Sequence, residues 1–354
     1  MPELLDFTGW SVWINAAVFA CGAAVVWIAG SRMVPIVDRL AGRTGMGQGF
    51  AGMLLVGGIV SLTEISTVTT AAFTGNPLLA LNNLLGSESI NLFLLAASDP
   101  VSGREALTSF IARPAVLFQG TLGIVLLGVV AVAMTTGDVP VLGVGAWSSA
   151  LFLLCLAGMW MSAQYQRRAP WLPADAEERL EPEQDGSAAE PGGAQGDSVA
   201  RLITRLIGVG TVIFASGFLL SMSGDAIAKQ TGLGTSFVGF VLVGMSTSLP
   251  ELSTIVAAIR LRRYEMAIGD ILGSNVYNLL LIFVVDVVYR GEPVFNQVTP
   301  FESVATLMGI VMTGILLLGL LDRRDRTVLK MGYDSAVMLV VFAGGLVLLY
   351  RLSG

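Results

Sequence analysis

Ser61-Leu62-Thr63-Glu64 and Ser248-Leu249-Pro250-Glu251 stand 187 residues apart, and the same offset lays residues 55 to 94 over residues 242 to 281. Ser66 and Thr67 fall on Ser253 and Thr254, Leu85-Gly86-Ser87 on Leu272-Gly273-Ser274, and Asn91-Leu92 on Asn278-Leu279. Both glutamates lie inside long apolar segments. An acid is expensive at bilayer depth and is kept there for a purpose, so a duplicated acid flanked by hydroxyls and amides points to a place that holds a cation.

The composition agrees with a membrane setting. Of 354 residues, 54% are hydrophobic and only 13% charged, and the mean hydropathy is positive, which no ordinary soluble globule shows. A helix needs about 20 apolar residues to cross a bilayer. Runs of that length lie near 11–36, 49–73, 77–98, 114–136, 139–163, 200–223, 235–259, 266–289, 299–321 and 333–351. They are continuous rather than alternating, which argues against an outer-membrane β-barrel. The expectation is an all-α membrane protein with ten transmembrane helices.

The basic residues test that count, because Lys and Arg stay on the cytoplasmic side of short loops. With the N-terminus outside, 17 of the 20 basic residues fall on cytoplasmic loops, and only Lys229, Arg290 and Arg351 fall opposite. Both termini are then outside, in a cell (inner) membrane. Five spans per copy is an odd number, so the second copy enters the membrane from the other side and the two five-helix repeats are inverted, as in carriers that work by alternating access. The organisation read from this is a first repeat over 1–163, a linker over 164–199 and a second repeat over 200–354. The linker is rich in Pro, Gly and acids, including Glu177, Glu178, Glu181, Glu183 and Asp185, and is expected to be a disordered cytoplasmic tether. Glu3 and Asp6 replace the basic start of a cleavable signal, so the first span is read as retained.

Several function classes drop out. The chain has no histidine, so zinc peptidase, Ser-His and haem chemistries lack their imidazole. No Gly-x-x-x-x-Gly-Lys phosphate loop is present. Cys21 and Cys155 sit in apolar spans without metal spacing and read as free thiols. No enzyme activity, bound cofactor, nucleic-acid partner or obligate protein partner is expected; the partners are membrane lipid and transported cations.

Two ionised carboxylates carry a charge that one calcium ion or two sodium ions neutralise. The hydroxyls of Ser61 and Ser248, one turn before each glutamate, and of Ser87 and Ser274 can replace lost water ligands. Ser87 to Asn91 and Ser274 to Asn278 are i to i+4 pairs, each on one helix face, and Asn83 and Asp270 extend those stripes by a turn. Gly86 and Gly273 permit close helix approach. Asp99, Asp225 and Asp286 lie near span ends, where solvation or an arginine partner explains them.

Gly244-Met245-Ser246-Thr247-Ser248-Leu249-Pro250-Glu251, with Gly269-Asp270-Ile271-Leu272-Gly273-Ser274-Asn275-Val276-Tyr277-Asn278, resembles the alpha repeat of the cation/calcium exchanger superfamily, especially its prokaryotic sodium/calcium exchanger-like members. The first copy is a more divergent version. The resemblance implies that Glu64 and Glu251 bind the transported ions, supported by Ser61, Ser87, Asn91, Thr247, Ser248, Ser274 and Asn278. It also implies that spans one and six slide past the remaining bundle.

This chain departs from the family pattern at Val60, where a threonine is expected opposite Thr247, at Thr63, opposite Pro250, and at Glu88, opposite Asn275. Asn278 is acidic in some relatives. A proline frees carbonyls and interrupts a helix, so the seventh span is expected to break more sharply than the second. Glu88 and Asp270 are surplus acids, either additional ion ligands or packing groups. The functional expectation is a secondary antiporter exchanging calcium for sodium, with a proton/calcium or other divalent antiporter as the alternative, and a channel or a non-transporting scaffold behind both.

Overall fold

The structure is a computed structural model and describes residues 7–103, 106–110, 114–165, 198–231, 239–322, 327–328 and 331–352. Most of the 164–199 linker lies outside the described residues. The fold is an all-α, multi-span membrane protein. Its first half runs α1 (Val12–Thr44), α2 (Gln48–Ala51), a π-helical stretch (Gly52–Gly57), α3 (Gly58–Val60), α4 (Leu62–Phe73), α5 (Pro77–Ser98), α6 (Pro114–Thr136) and α7 (Ala146–Tyr165). The second half runs α8 (Val199–Thr231), a π-helical stretch (Gly239–Val243), α9 (Gly244–Thr247), α10 (Leu249–Arg260), α11 (Tyr264–Val288), α12 (Pro300–Asp322) and α13 (Tyr333–Leu352). Two-residue hairpin strands, Pro140–Val141 with Val144–Gly145 and Thr327–Val328 with Met331–Gly332, precede α7 and α13.

Element bounds recur at the offset first seen in the acidic motifs. α1 and α8 are both 33 residues long and begin 187 positions apart, as do α4 and α10, α7 and α13, and the two hairpins. Among the described residues, eight helices are long and apolar enough to cross a membrane, and a ninth crossing forms if Gln48–Val60 and Leu62–Phe73, bent by 42°, count as one. The segment from Gly239 to Arg260 is interrupted in the same way, at Ser248. Thr63 does not spare the first copy: the helix breaks at Ser61 without a proline. The π-helical stretch just before it has already displaced the backbone ladder, a feature often found at functional sites.

α5 and α11 form the centre. Their apolar windows are 83% and 67% buried, whereas those of α1, α6, α7, α12 and α13 are 22–44% buried and present Trp13, Leu153, Trp160, Leu318 and Val340 outward. Absent side chains let the centre close. A Cβ at Gly86 of α5 would strike the Phe240 backbone, and one at Gly273 of α11 would strike the Met53 backbone. Those two contacts are the same contact shifted by 187 residues, so each central helix presses on the π-helical stretch of the other half.

Asp99 and Asp286 lie near span ends as expected but are not solvated, and among the described residues neither has an arginine partner. They are 0% and 3% exposed. Asp99 accepts the Leu107 amide at 2.8 Å and the Gly332 amide at 2.6 Å. Asp286 accepts the Val294 amide at 2.8 Å, the Ser148 hydroxyl at 2.6 Å and the backbone amide of Gly145 in the hairpin. Each therefore fastens the hairpin of the opposite half, and burial is made tolerable by charge-assisted hydrogen bonds. Asp225's side chain lies outside the described residues.

Asp99→Ala strips two buried amides of their acceptor, at a cost of about 1–3 kcal/mol for each. The expected result is a clear drop in the thermal unfolding midpoint in detergent, with a smaller drop for Asp99→Asn, which keeps one carbonyl acceptor.

Candidate functional site

The two helix breaks meet. Ser61 and Ser248 interrupt their helices three residues before Glu64 and Glu251, which places each acid in the first turn of the following helix, α4 or α10. That position favours an anion, because free amides and the helix dipole point at it. Thr63 joins the halves: its hydroxyl lies 2.7 Å from Glu64 Oε2, 3.2 Å from the Thr247 carbonyl and 2.9 Å from the Val60 carbonyl, sharing one proton among them. On the other side of Thr247, its hydroxyl sits 3.3 Å from Ser87 Oγ and 3.3 Å from Asn83 Oδ1. Glu64, Thr63, Thr247, Ser87 and Asn83 thus form one chain running from α4 through the second break to α5.

The second acid is tied differently. Thr254, one turn beyond Glu251, reaches the Glu251 carbonyl at 2.9 Å and the Asp270 carboxylate on α11. Glu251 lies within Coulomb range of Glu64 and of Asp270. Asn91 donates to Asn275 Oδ1 at 3.0 Å, and Asn275 donates to the Glu88 carbonyl at 3.1 Å. Glu88 and Asn275 stand 187 residues apart and touch each other, so the axis relating the two halves passes between them.

All nine side chains singled out from the sequence as ligands, Ser61, Glu64, Ser87, Asn91, Thr247, Ser248, Glu251, Ser274 and Asn278, are fully buried. Ser87 and Thr247 satisfy each other. The other seven leave oxygens without a partner: Glu64 Oε1, both oxygens of Glu251, the hydroxyls of Ser61, Ser248 and Ser274, and the amide oxygens of Asn91 and Asn278. Buried polar atoms are nearly always paired, and so many orphans around two carboxylates form a donor set of the hard-oxygen kind that alkali and alkaline-earth ions take. Among the described residues no three His, Cys, Asp or Glu side chains gather at metal-ligand spacing. Among the nine, only Glu64 and Glu251 are acids, and the remaining oxygens are neutral.

The surplus acids part company. Asp270 is joined to Glu251 through Thr254, whereas Glu88, 2% exposed with Oε1 unpartnered, meets the other half through its backbone carbonyl, which accepts Asn275. Reasoning from sequence gave no role to Thr63, Thr254 or Asn275. Thr254 carried a usable signal, since it recurs with Thr67 one turn after each glutamate.

A sequence profile described as "Sodium/calcium exchanger protein" matches residues 14–166 and 202–351. The chain is 26% identical over 272 residues to the inner membrane protein YrbG of Escherichia coli (strain K12), covering 76% of this chain and 78% of that protein. It is 24% identical over 333 residues to the putative antiporter CaxA of Alkalimonas amylolytica, covering 92% of this chain and 95% of that one. Among solved structures, the sodium-calcium exchanger NCX_Mj superposes with a TM-score of 0.69 at 18% identity, over 95% of this chain and 99% of that chain, so the two share a fold.

Two buried, poorly paired carboxylates destabilise the ion-free protein, and removing one charge relieves that cost. Without divalent cations, Glu251→Gln is expected to unfold in detergent at or above the temperature of the unmodified protein. Added divalent cation should raise the midpoint of the unmodified protein, by mass action, and leave the variant unmoved.

Proposed function

Because the chain belongs to the sodium/calcium exchanger protein family, we propose that it is a secondary antiporter, moving calcium across a membrane in exchange for sodium by alternating exposure of one site built on Glu64 and Glu251. The observation that carries this is that two fully buried glutamates each sit in the first turn after one of two helix breaks joined by Thr63, with three of their four carboxylate oxygens unpartnered. Ser61, Ser248, Ser274, Asn91 and Asn278 supply the remaining oxygens, and Ser87 and Thr247 hold the frame around them.

The chemistry of the pair explains exchange. A carrier that returned empty would occlude two bare carboxylates, a costly intermediate, so it crosses only when one divalent or two monovalent cations neutralise them. Sodium and calcium then compete for the same oxygens. In this reading ten spans form two inverted five-helix repeats, residues 1–163 and 200–354, with both termini outside and the connecting linker in the cytoplasm. The long helices α1 and α8 are the moving pair. Gly30 of α1 lies directly against Ser253 and Pro250, beside Glu251, and Gly217 of α8 lies against Thr63, beside Glu64. A shift of that pair opens one flank of the site while covering the other. NCX_Mj, whose solved structures concern extracellular ion exchange and binding-site occlusion, has the same fold.

Proteoliposomes loaded with calcium separate the possibilities. An imposed sodium gradient should drive calcium flux, and Glu64→Gln and Glu251→Gln should each lower it by at least about 100-fold, the equivalent of breaking a buried charge interaction worth about 3 kcal/mol or more. Calcium flux that follows a proton gradient and ignores sodium would replace sodium by protons as the coupling ion. Full flux in both variants would remove the glutamates from the mechanism.

A further inference from the structure

The two glutamates are not held alike. Both oxygens of Glu251 are unpartnered, whereas Glu64 has one such oxygen, Oε1. The difference comes from the residue just before each acid. At the 187-residue offset the first half has Thr63 and the second has Pro250, which carries no hydroxyl to offer its neighbour. Thr63 is fully buried, and its hydroxyl lies 2.7 Å from Glu64 Oε2, with the Val60 and Thr247 carbonyls at 2.9 and 3.2 Å. A hydroxyl has one proton to give, and of these three acceptors the ionised carboxylate is both the nearest and the strongest.

The direction of that hydroxyl is set from behind. A threonine in a helix divides between two rotamers, and the long helix α8 selects between them here. A Cβ at Gly217 would strike Thr63 Cγ2, so the methyl group fills the space the glycine leaves and the hydroxyl is left to face Glu64. Gly30 of α1, the counterpart of Gly217, faces Ser253 and the Pro250 carbonyl instead.

Three carboxylate oxygens are thus open, two from Glu251 and one from Glu64. The fourth is engaged by a donor that a cation must displace before it can take Glu64 through both oxygens. That constraint weighs unequally on the two ions. Calcium takes carboxylates through both oxygens readily and fills about six to eight oxygen positions, and with twice the charge of sodium it gains about twice as much from each added carboxylate oxygen.

Resting on the exchanger reading above, we propose that Thr63 is a specificity-determining residue: by engaging Glu64 Oε2 it holds one carboxylate oxygen back from the cation and weakens calcium more than sodium. Calcium is then released more readily, and sodium displaces it at lower concentration.

Equilibrium binding of radiolabelled calcium to the purified protein in detergent, with sodium as competitor, and calcium self-exchange in proteoliposomes test this together. Thr63→Val keeps the shape and the methyl against Gly217 and removes the hydroxyl. It should bind calcium about 10-fold more tightly, the weight of one hydrogen bond to a charged group. At a fixed, saturating calcium concentration it should need several-fold more sodium for half displacement, and its self-exchange should be slower. Thr63→Ser, which keeps the hydroxyl, should stay close to the unmodified protein in all three measurements. Unchanged or weaker calcium binding in Thr63→Val overturns the proposal. So does an equal gain in Thr63→Ser, which would make the threonine a packing residue, and so does an unaltered sodium requirement in Thr63→Val, which would mean that both ions gain alike. Failure of the unmodified protein to bind calcium at all strikes the exchanger reading itself, and this proposal with it.

Discussion

The molecule is organised around the cost of keeping two carboxylates dry. Glu64 and Glu251 are both fully buried, and hydrocarbon offers nothing to solvate them, so the fold supplies what it can: first-turn positions on two helices, a threonine shared between the halves, and a ring of neutral oxygens. What it leaves undone is the informative part. Three of the four glutamate oxygens lack a partner, in a site that is otherwise packed to the backbone by Gly86 and Gly273. A structure that satisfied these acids completely would have no reason to bind a cation, and one that left them wholly unsupported would not fold. In the proposed exchange the cation completes the electrostatic balance, and the same balance ties its departure to the arrival of another.

The near-symmetry of the two halves follows from that requirement. Each half contributes one broken helix and one central helix, and each central helix packs against the break of the opposite half. Neither half can build the site alone. Asp99 and Asp286 repeat the theme near the span ends, each accepting backbone amides, with the hairpin of the other half among its donors. They hold the periphery, while the long helices α1 and α8 come close to the site where Gly30 and Gly217 face it. In the proposed cycle that pair moves against the core, a physical basis for exposing the same oxygens to either side of a membrane.

Much of this was legible in the sequence because inverted halves leave a linear trace. One offset placed Glu64 on Glu251 and Ser87 on Ser274, and the structure carries the same offset through the helices and hairpins. What could not be read depends on contacts between segments far apart in the chain. Thr63 looked like a departure from a proline and proved to be the link between Glu64 and the second break. The helix still breaks at Ser61, since the π-helical stretch before it disrupts the ladder without a proline. The burial of Asp99 and Asp286 was not legible because hydropathy locates the end of a span but says nothing of what covers it, and donors that hold them come from residues 8 to 233 positions away. Glu88 and Asp270, alike on paper as surplus acids, separate only once the helices are packed, Asp270 joined through Thr254 to Glu251 and Glu88 through its carbonyl to Asn275.

The central claim is that the two glutamates share one cation between the two broken helices. Anomalous scattering from crystals soaked in strontium, a heavier stand-in for calcium, locates such an ion directly. The account requires a strontium peak coordinated by both Glu64 and Glu251 carboxylates together with hydroxyl and amide oxygens from the breaks. A strontium ion held elsewhere in the bundle, with the two carboxylates apart and uncoordinated, would contradict it.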